Sequence, residues 1–151
     1  MDILARKIAG AYDSKLAAPA GAPWTEVVQS PYSVSETIAR LVNVIEAQGN
    51  KVFATISHGE EAKKAGQMLN ETEVLLIGNP SKGTALMQAK PAIAIDLPLR
   101  IMVWKDDKGE VWVSFTDPVS LGKMYNVSGQ DAILKQMRNG LLKAIRKATQ
   151  S

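Results

Sequence analysis

The sequence predicts an α+β domain entered from an N-terminal helical arm, and three observations carry that expectation. Strand-length apolar runs alternate with amphipathic helical segments from Trp24 to the end of the chain. Two of those runs, Leu99–Lys105 and Glu110–Thr116, flank Asp106-Asp107-Lys108-Gly109, a polar turn that makes them an antiparallel hairpin. The last segment, from Asp131 to about Ala148, repeats Leu134, Met137, Leu141, Ile145 and Ala148 at helical spacing.

Taken in order, residues 2–16 are expected as a short amphipathic helix with Leu4, Ile8 and Ala11 or Tyr12 on one side. The run Ala17-Ala18-Pro19-Ala20-Gly21-Ala22-Pro23 has linker composition, so residues 1–23 read as an arm and 24–151 as one domain. Trp24 to Gln29 is a first strand, ended by Ser30-Pro31. Ser33-Val34-Ser35-Glu36 then forms a capping box, and the helix after it carries Val34, Ile38, Leu41 and Ile45 on one stripe until Gly49-Asn50. Lys51 to Ser57 is a second strand, with Val52, Ala54 and Ile56 facing one way and Phe53 and Thr55 the other. His58 opens a helical segment to about Met68. Thr72 to Ile77 is so continuously apolar that burial on both faces is expected. Gly78-Asn79-Pro80 turns the chain into a short helix around Gly83 to Ala89.

In the hairpin, pairing of Lys105 with Glu110 is expected, which sets Trp104 opposite Val111 and Val103 opposite Trp112. One face then shows Met102, Trp104, Val111, Val113 and Phe115, the other Ile101, Val103 and Trp112 beside Ser114 and Thr116. Both faces are apolar, yet helices can cover only one side of so small a sheet. The other side calls for the arm, a second subunit or a ligand. Gly140, inside the last helix, costs about 1 kcal/mol against alanine, so a close backbone contact is expected there.

Composition narrows the function classes. A chain of 151 residues with 46% apolar content is one ordinary globular domain, and no run approaches a membrane span. The absence of cysteine excludes disulfides, thiolate catalysis and zinc–thiolate sites, and it suits a reducing cytosol. Asp2, Arg6, Lys7 and Asp13 interrupt the N-terminal apolar residues, leaving no signal-peptide core, so the chain reads as cytoplasmic. The net charge is only +3. Lys135, Arg138, Lys143, Arg146 and Lys147 spread around the polar side of the last helix as a solvated face does. With no aromatic interleaving, nucleic-acid binding is disfavoured.

The run Gly78-Asn79-Pro80-x-x-Gly83-Thr84-x-Leu86-Met87-Gln88, with Asp96-Leu97-Pro98-Leu99-Arg100, Val103-Trp104 and Val111-Trp112-x-Ser114, resembles the bacterial and archaeal family catalogued as domain of unknown function 302. The likeness covers about Trp24 to Tyr125. It implies a two-layer, TBP-like fold, a curved antiparallel sheet with helices on one face, and no established activity. Where relatives read Ser-Tyr-Asn-Asp-Pro, this chain has Ser114-Phe115-Thr116-Asp117-Pro118, losing a phenol and an amide, which puts any role of those polar groups in doubt.

The candidate site residues are His58, Asn79, Lys82, Gly83, Thr84, Met87 and Asp96. His58 is the only histidine, directly after a strand. Imidazole can ligate a metal or haem iron or move protons, and a methionine can supply a second axial ligand. The resemblance also implies a histidine at this point. The simpler account is that His58 caps a helix or satisfies a backbone carbonyl. The segment from Gly78 to Thr84 joins a strand to a helix N-terminus able to hold an anion, although its spacing is not that of a P-loop and a plain turn accounts for it. Ser57 and His58 are adjacent and point apart, so they form no nucleophile–base dyad. Met87, Met102 and Met124, with Trp104 and Trp112, are candidates for an apolar pocket or for core. Asp96 and Asp117 are candidates for an acid/base pair or for local turn bonds. The favoured reading is a non-catalytic module that binds a small apolar or anionic ligand or forms a homodimer. The alternative is a His58-dependent haem- or metal-binding or redox accessory protein. The cofactor, if any, stays open.

Overall fold

The structure is a computed structural model that describes residues 27–151. The expected arm and linker, and residues 24–26 of the first strand, lie outside the described residues.

Within them the chain runs β1 (Val27–Ser30), α1 (Val34–Ala47), β2 (Lys51–Ser57), α2 (His58–Lys64), β3 (Thr72–Gly78), α3 (Pro80–Ala89), a 3-10 turn (Pro91–Asp96), β4 (Leu99–Lys105), β5 (Val111–Phe115), α4 (Pro118–Met124) and α5 (Asp131–Thr149). The strands form one sheet in the order β1-β5-β4-β3-β2, and every neighbouring pair is antiparallel. The α+β architecture is as expected.

One face of the sheet makes the core. Leu75 and Ile77 of β3, Ile101 and Val103 of β4 and Val113 and Phe115 of β5 pack against Val34, Ile38, Leu41 and Ile45 of α1 and Leu134, Leu141, Ile145 and Ala148 of α5. The two helices are also tied end to end. Arg40 of α1 donates through Nε to the Ala148 carbonyl at 2.7 Å and through Nη2 to that of Gln150 at 3.1 Å, while stacking over the Tyr32 ring at 4.1 Å. A cation at a helix C-terminus satisfies orphan carbonyls and opposes the dipole. At the start of α1, Ser33 Oγ accepts from the Glu36 N–H, half of the expected capping box. Thr37, buried one turn on, donates its hydroxyl to the Ser33 carbonyl and so accepts from Ser30 Oγ at 2.7 Å, which anchors α1 to the end of β1.

The structure corrects four expectations. The hairpin pairs Lys105 with Val111, one residue away from the expected register, so Trp104 faces Trp112 and Val103 faces Val113. Asp106 is the reason. Its Oδ1 accepts from the N–H groups of Lys108 and Glu110, each at 2.9 Å, and its Oδ2 accepts from the Trp112 indole at 2.9 Å. These bonds hold a three-residue loop closed by Asp106 and Glu110, with Gly109 at φ +81°. The indole bond first, and the two backbone bonds after it, hold the Asp106 carboxyl below its ordinary range. The face residues sort accordingly: Val103, Val111, Val113 and Phe115 are buried in the core, while Met102, Trp104, Trp112 and Ser114 share the opposite face.

Second, β3 is buried on one face only. Leu75 and Ile77 enter the core, whereas Val74 and Leu76 are half-buried and pair with Met102 and Arg100 on the face away from α1 and α5. Third, a bulge at Phe53 shifts the β2 register between Val52 and Ala54. Val52 therefore shares the core face with Ile77, and Ala54 and Ile56 turn to the other face. Fourth, Gly140 makes no close approach: a Cβ built there meets nothing within 4 Å. The tight glycine is Gly122 of α4, where a Cβ would lie 2.4 Å from Leu134 Cδ1. Helix α4 was not expected, although Asp117 caps it and Pro118 opens it.

Gly140→Ala should therefore raise stability by about 1 kcal/mol, since it removes backbone entropy from the unfolded chain without a clash. Urea unfolding at an unchanged slope measures this, and a loss of stability would show that the α5 backbone is approached closely after all.

Candidate functional site

The strand-to-helix junction that the sequence marks out is built around one side chain. Asn79 is the N-cap of α3: its Oδ1 accepts from the Lys82 N–H at 3.1 Å and its carbonyl from the Gly83 N–H at 2.9 Å. Pro80, at the first helical position, has no N–H to satisfy. Asn79 also donates through Nδ2 to Asn50 Oδ1 at 3.4 Å, and Thr84 donates to the Pro80 carbonyl. The helix start is thus largely satisfied by its own residues, which leaves little donor capacity for an anion there.

What the junction does form is a cleft of about 280 Å³. Phe53, Ile77, Met87, Leu97, Pro98 and Met137 supply apolar wall, and Asn79, Gly83 and Thr84 complete it. Several segments meet here: the bulged β2, the junction of β3 and α3, the 3-10 turn and the loop with its cis Leu97–Pro98 bond, the start of β4, and α5. Among the described residues no carboxylate lines the cleft. Lys51 places its ammonium 4.9 Å from the Phe53 ring centroid, a cation–π contact at one wall. A smaller cavity of about 50 Å³ shares Ile77, Gly78, Asn79, Leu99 and Met137 with the cleft and adds the polar Gln48, Asn50, Lys82 and Gln136 and the apolar Ile45, Leu141 and Ala144, with Gly140.

Of the residues singled out in the sequence, Asn79, Gly83, Thr84 and Met87 meet in the cleft, and Lys82 lies in the adjoining cavity. Asp96 stands apart with its own partners. Tyr125 donates its hydroxyl to Asp96 Oδ2, and Arg100 Nη1 lies 3.8 Å from Oδ1. This bond first, then burial, holds the Tyr125 phenol above its usual value. Asp117 is engaged separately, accepting from the Val119 N–H and the Ser120 hydroxyl and lying 3.5 Å from Arg138 Nε. The two aspartates thus have different partners.

His58 is exposed at the first turn of α2. Ser57 caps that helix by accepting from the Glu60 N–H, and Glu61 pairs with Lys64 at 2.9 Å. Among the described residues no group of three or more histidine and carboxylate side chains is placed to hold a metal ion. The groove beside α2, lined by Glu60, Glu71 and Glu73 with Lys63, has a volume of about 350 Å³. Partial burial, then the charges of Glu71 and Glu60, raise the Glu73 carboxyl. The methionines and tryptophans do not assemble as one pocket: Met87 lines the cleft, Met102, Trp104 and Trp112 lie on the face away from α1 and α5, and Met124 is exposed. Phe53, Pro98 and Met137 were not singled out in the sequence. Each reaches the cleft through tertiary structure, and only the Leu97-Pro98 dipeptide carries a local signal.

The family model described as Domain of unknown function DUF302 matches residues 26–148. Among solved structures, the uncharacterized conserved protein DUF302 from Bacillus stearothermophilus superposes with a TM-score of 0.76 at 20% identity, covering 84% of this chain and 99% of that one. At that identity the likeness shows the fold alone. The Fluoride-specific ion channel FluC 1 of Brucella suis is 40% identical over 114 residues, which is 75% of this chain and 45% of that protein. Its counterpart FluC 1 in Brucella abortus matches at the same identity over 42% of its length. The chain therefore spans less than half the length of the curated relatives it matches.

The Tyr125–Asp96 bond has a pH signature. The phenol is held above its unfolded value of about 10, so its contribution to stability is complete below that pH and is lost as pH rises through the folded value. Alkaline titration by phenolate absorbance should show a late step that Tyr125→Phe deletes and Asp96→Asn moves down. A step that Asp96→Asn leaves in place would mean the carboxylate is not its cause.

Proposed function

The chain belongs to the DUF302 family, and from that premise we propose that it is a non-catalytic module that binds a small, mainly apolar ligand in the cleft between β3, α3 and the loop into β4. The observation that carries this reading is the chemistry of the cleft wall. It is apolar on several sides, and its few polar side chains, Asn79 and Thr84, are engaged in capping and backbone bonds of α3, so contact area rather than reacting groups is what it offers. Its volume lies near the lower end of small-molecule sites. The cysteine-free composition suits a reducing compartment, and we place the module in the cytoplasm.

We assign the channel activity named for the Brucella relatives to the portion of those proteins that this chain does not match. An ion channel built of helices needs spans of about 20 apolar residues. Among the described residues no helix is long and apolar enough to cross a membrane.

Homodimerisation is a second reading, favoured by the sheet face away from α1 and α5. Val74, Leu76, Met102 and Trp104 are half-buried there, Ile56 is exposed, and β2 is an edge strand. Native mass spectrometry of the full chain tests it: a dimer mass supports the reading, and a monomer at every concentration tried removes it.

The cleft is tested by a thermal shift with 1-octanol as a neutral apolar probe. A concentration-dependent rise in Tm is expected for the native chain. Gly83→Leu should fold, because a Cβ at Gly83 meets only Met87 Cε at 4.0 Å, and its side chain should fill the cleft and abolish the shift. A shift of equal size in both proteins would place the probe elsewhere and sink the reading.

A further inference from the structure

We propose that the ligand is an amphiphilic monocarboxylate, its apolar body in the cleft and its carboxylate at the mouth of the adjoining cavity, beside Lys82 and the amides around it. The inference rests on the cleft reading above and adds the identity of the head group.

The two cavities share a wall and differ in what is added to it. The larger is walled almost wholly by apolar side chains; the smaller is also mainly apolar, with Ile45, Leu141 and Ala144 in its wall, but it adds the amides of Gln48, Asn50, Asn79 and Gln136 and the half-buried Lys82. Three of those amides already have a bond, but none is saturated. Asn79 and Gln48 each spend one donor, on Asn50 Oδ1 and the Gly140 carbonyl, and Asn50 only accepts. An amide carries two N–H donors, so Asn50 keeps both of its own and the others keep at least one. Lys82 makes no ion pair with a described residue, and no carboxylate among the described residues lines either cavity.

A cavity of this kind favours an acceptor-only anion. Ammonium and amide donors together suit a carboxylate, whose bonds to charged and amide N–H groups are among the stronger ones available. A cationic head would meet Lys82 at close range, and a neutral hydroxyl would leave most of the donors unused. The smaller cavity, at about 50 Å³, exceeds the roughly 10–15 Å³ that one water needs. It accommodates a carboxylate but not a second apolar tail. The helix start itself supplies little, because Asn79 has taken the N–H of Lys82 and its carbonyl that of Gly83. The lysine side chain, rather than the α3 dipole, is therefore the discriminating group.

Isothermal titration with octanoate and 1-octanol, two probes of equal chain length, separates this proposal from the reading beneath it. For the native chain, octanoate should bind about tenfold tighter than octanol, the advantage of a charge-assisted bond. In Lys82→Gln that ratio should fall to about one. Equal affinities in the native chain would overturn the head-group assignment and leave the apolar cleft standing. A tenfold advantage that survives Lys82→Gln would also overturn it, placing the carboxylate elsewhere, for instance near Lys51. Binding of neither probe would remove the cleft reading and this inference together.

Discussion

The carboxylate of Asp106 decides which residues of this protein are inside. By accepting from two backbone N–H groups across the β4–β5 loop and from the Trp112 indole, it closes a loop of three residues rather than four. Side chains alternate along a strand, so a one-residue change of register exchanges which pairs stand together across a hairpin. With this loop, Val103 and Val113 sit side by side in the core and Trp104 and Trp112 sit side by side on the opposite face. The alternative pairing would have set valine against tryptophan on both faces.

From that register the second layer follows. A sheet face made of Val, Ile, Leu and Phe side chains receives α1 and α5, and the ties between Arg40 and the end of α5 keep the two helices together. α3 is different. Only Leu86 of its ten residues is buried, so it flanks the body rather than belonging to the core. A helix held by one buried side chain and by its Asn79 cap leaves space beneath it, and the cleft is that space. The cleft lies at the end of the sheet where β3 finishes and β4 begins.

Much of this was legible in the residues, for reasons that can be stated. α1 and α5 carry strong stripes, the hairpin carries a polar turn, and Gly78-Asn79-Pro80 announces a strand-to-helix junction. All are local signals. The register of the hairpin was not legible, because it depends on which atoms one carboxylate accepts from, and turn composition alone is compatible with loops of either length. The bulge at Phe53 was equally hidden: alternation in β2 reads cleanly only if no residue is left unpaired. α4 was missed despite its signal, an aspartate followed by proline, because its stripe is only seven residues long. For the site the division is similar. Asn79, Gly83, Thr84 and Met87 lie within one turn and helix, so sequence placed them together. Phe53, Pro98 and Met137 come from elsewhere in the chain, and nothing near them in sequence says where they will meet.

Histidine and aspartate drew attention in the sequence because they are the residues that do chemistry, yet the fold surrounds them with ordinary partners. His58 opens a helix in solvent, Asp117 caps one, and Asp96 takes a phenol and an arginine. Beside the cleft, the groups with donor capacity left over are amides and a lysine, side chains suited to holding a ligand rather than to transforming one. Capacity left over after the fold has satisfied itself is a better guide to function than reactivity in isolation. Satisfied groups serve stability, and unsatisfied donors beside an apolar cleft have only a ligand or water to turn to. By that criterion the proposed binding rests on the end of the sheet where β3 finishes and β4 begins, because the cleft and the lysine beside it both lie there.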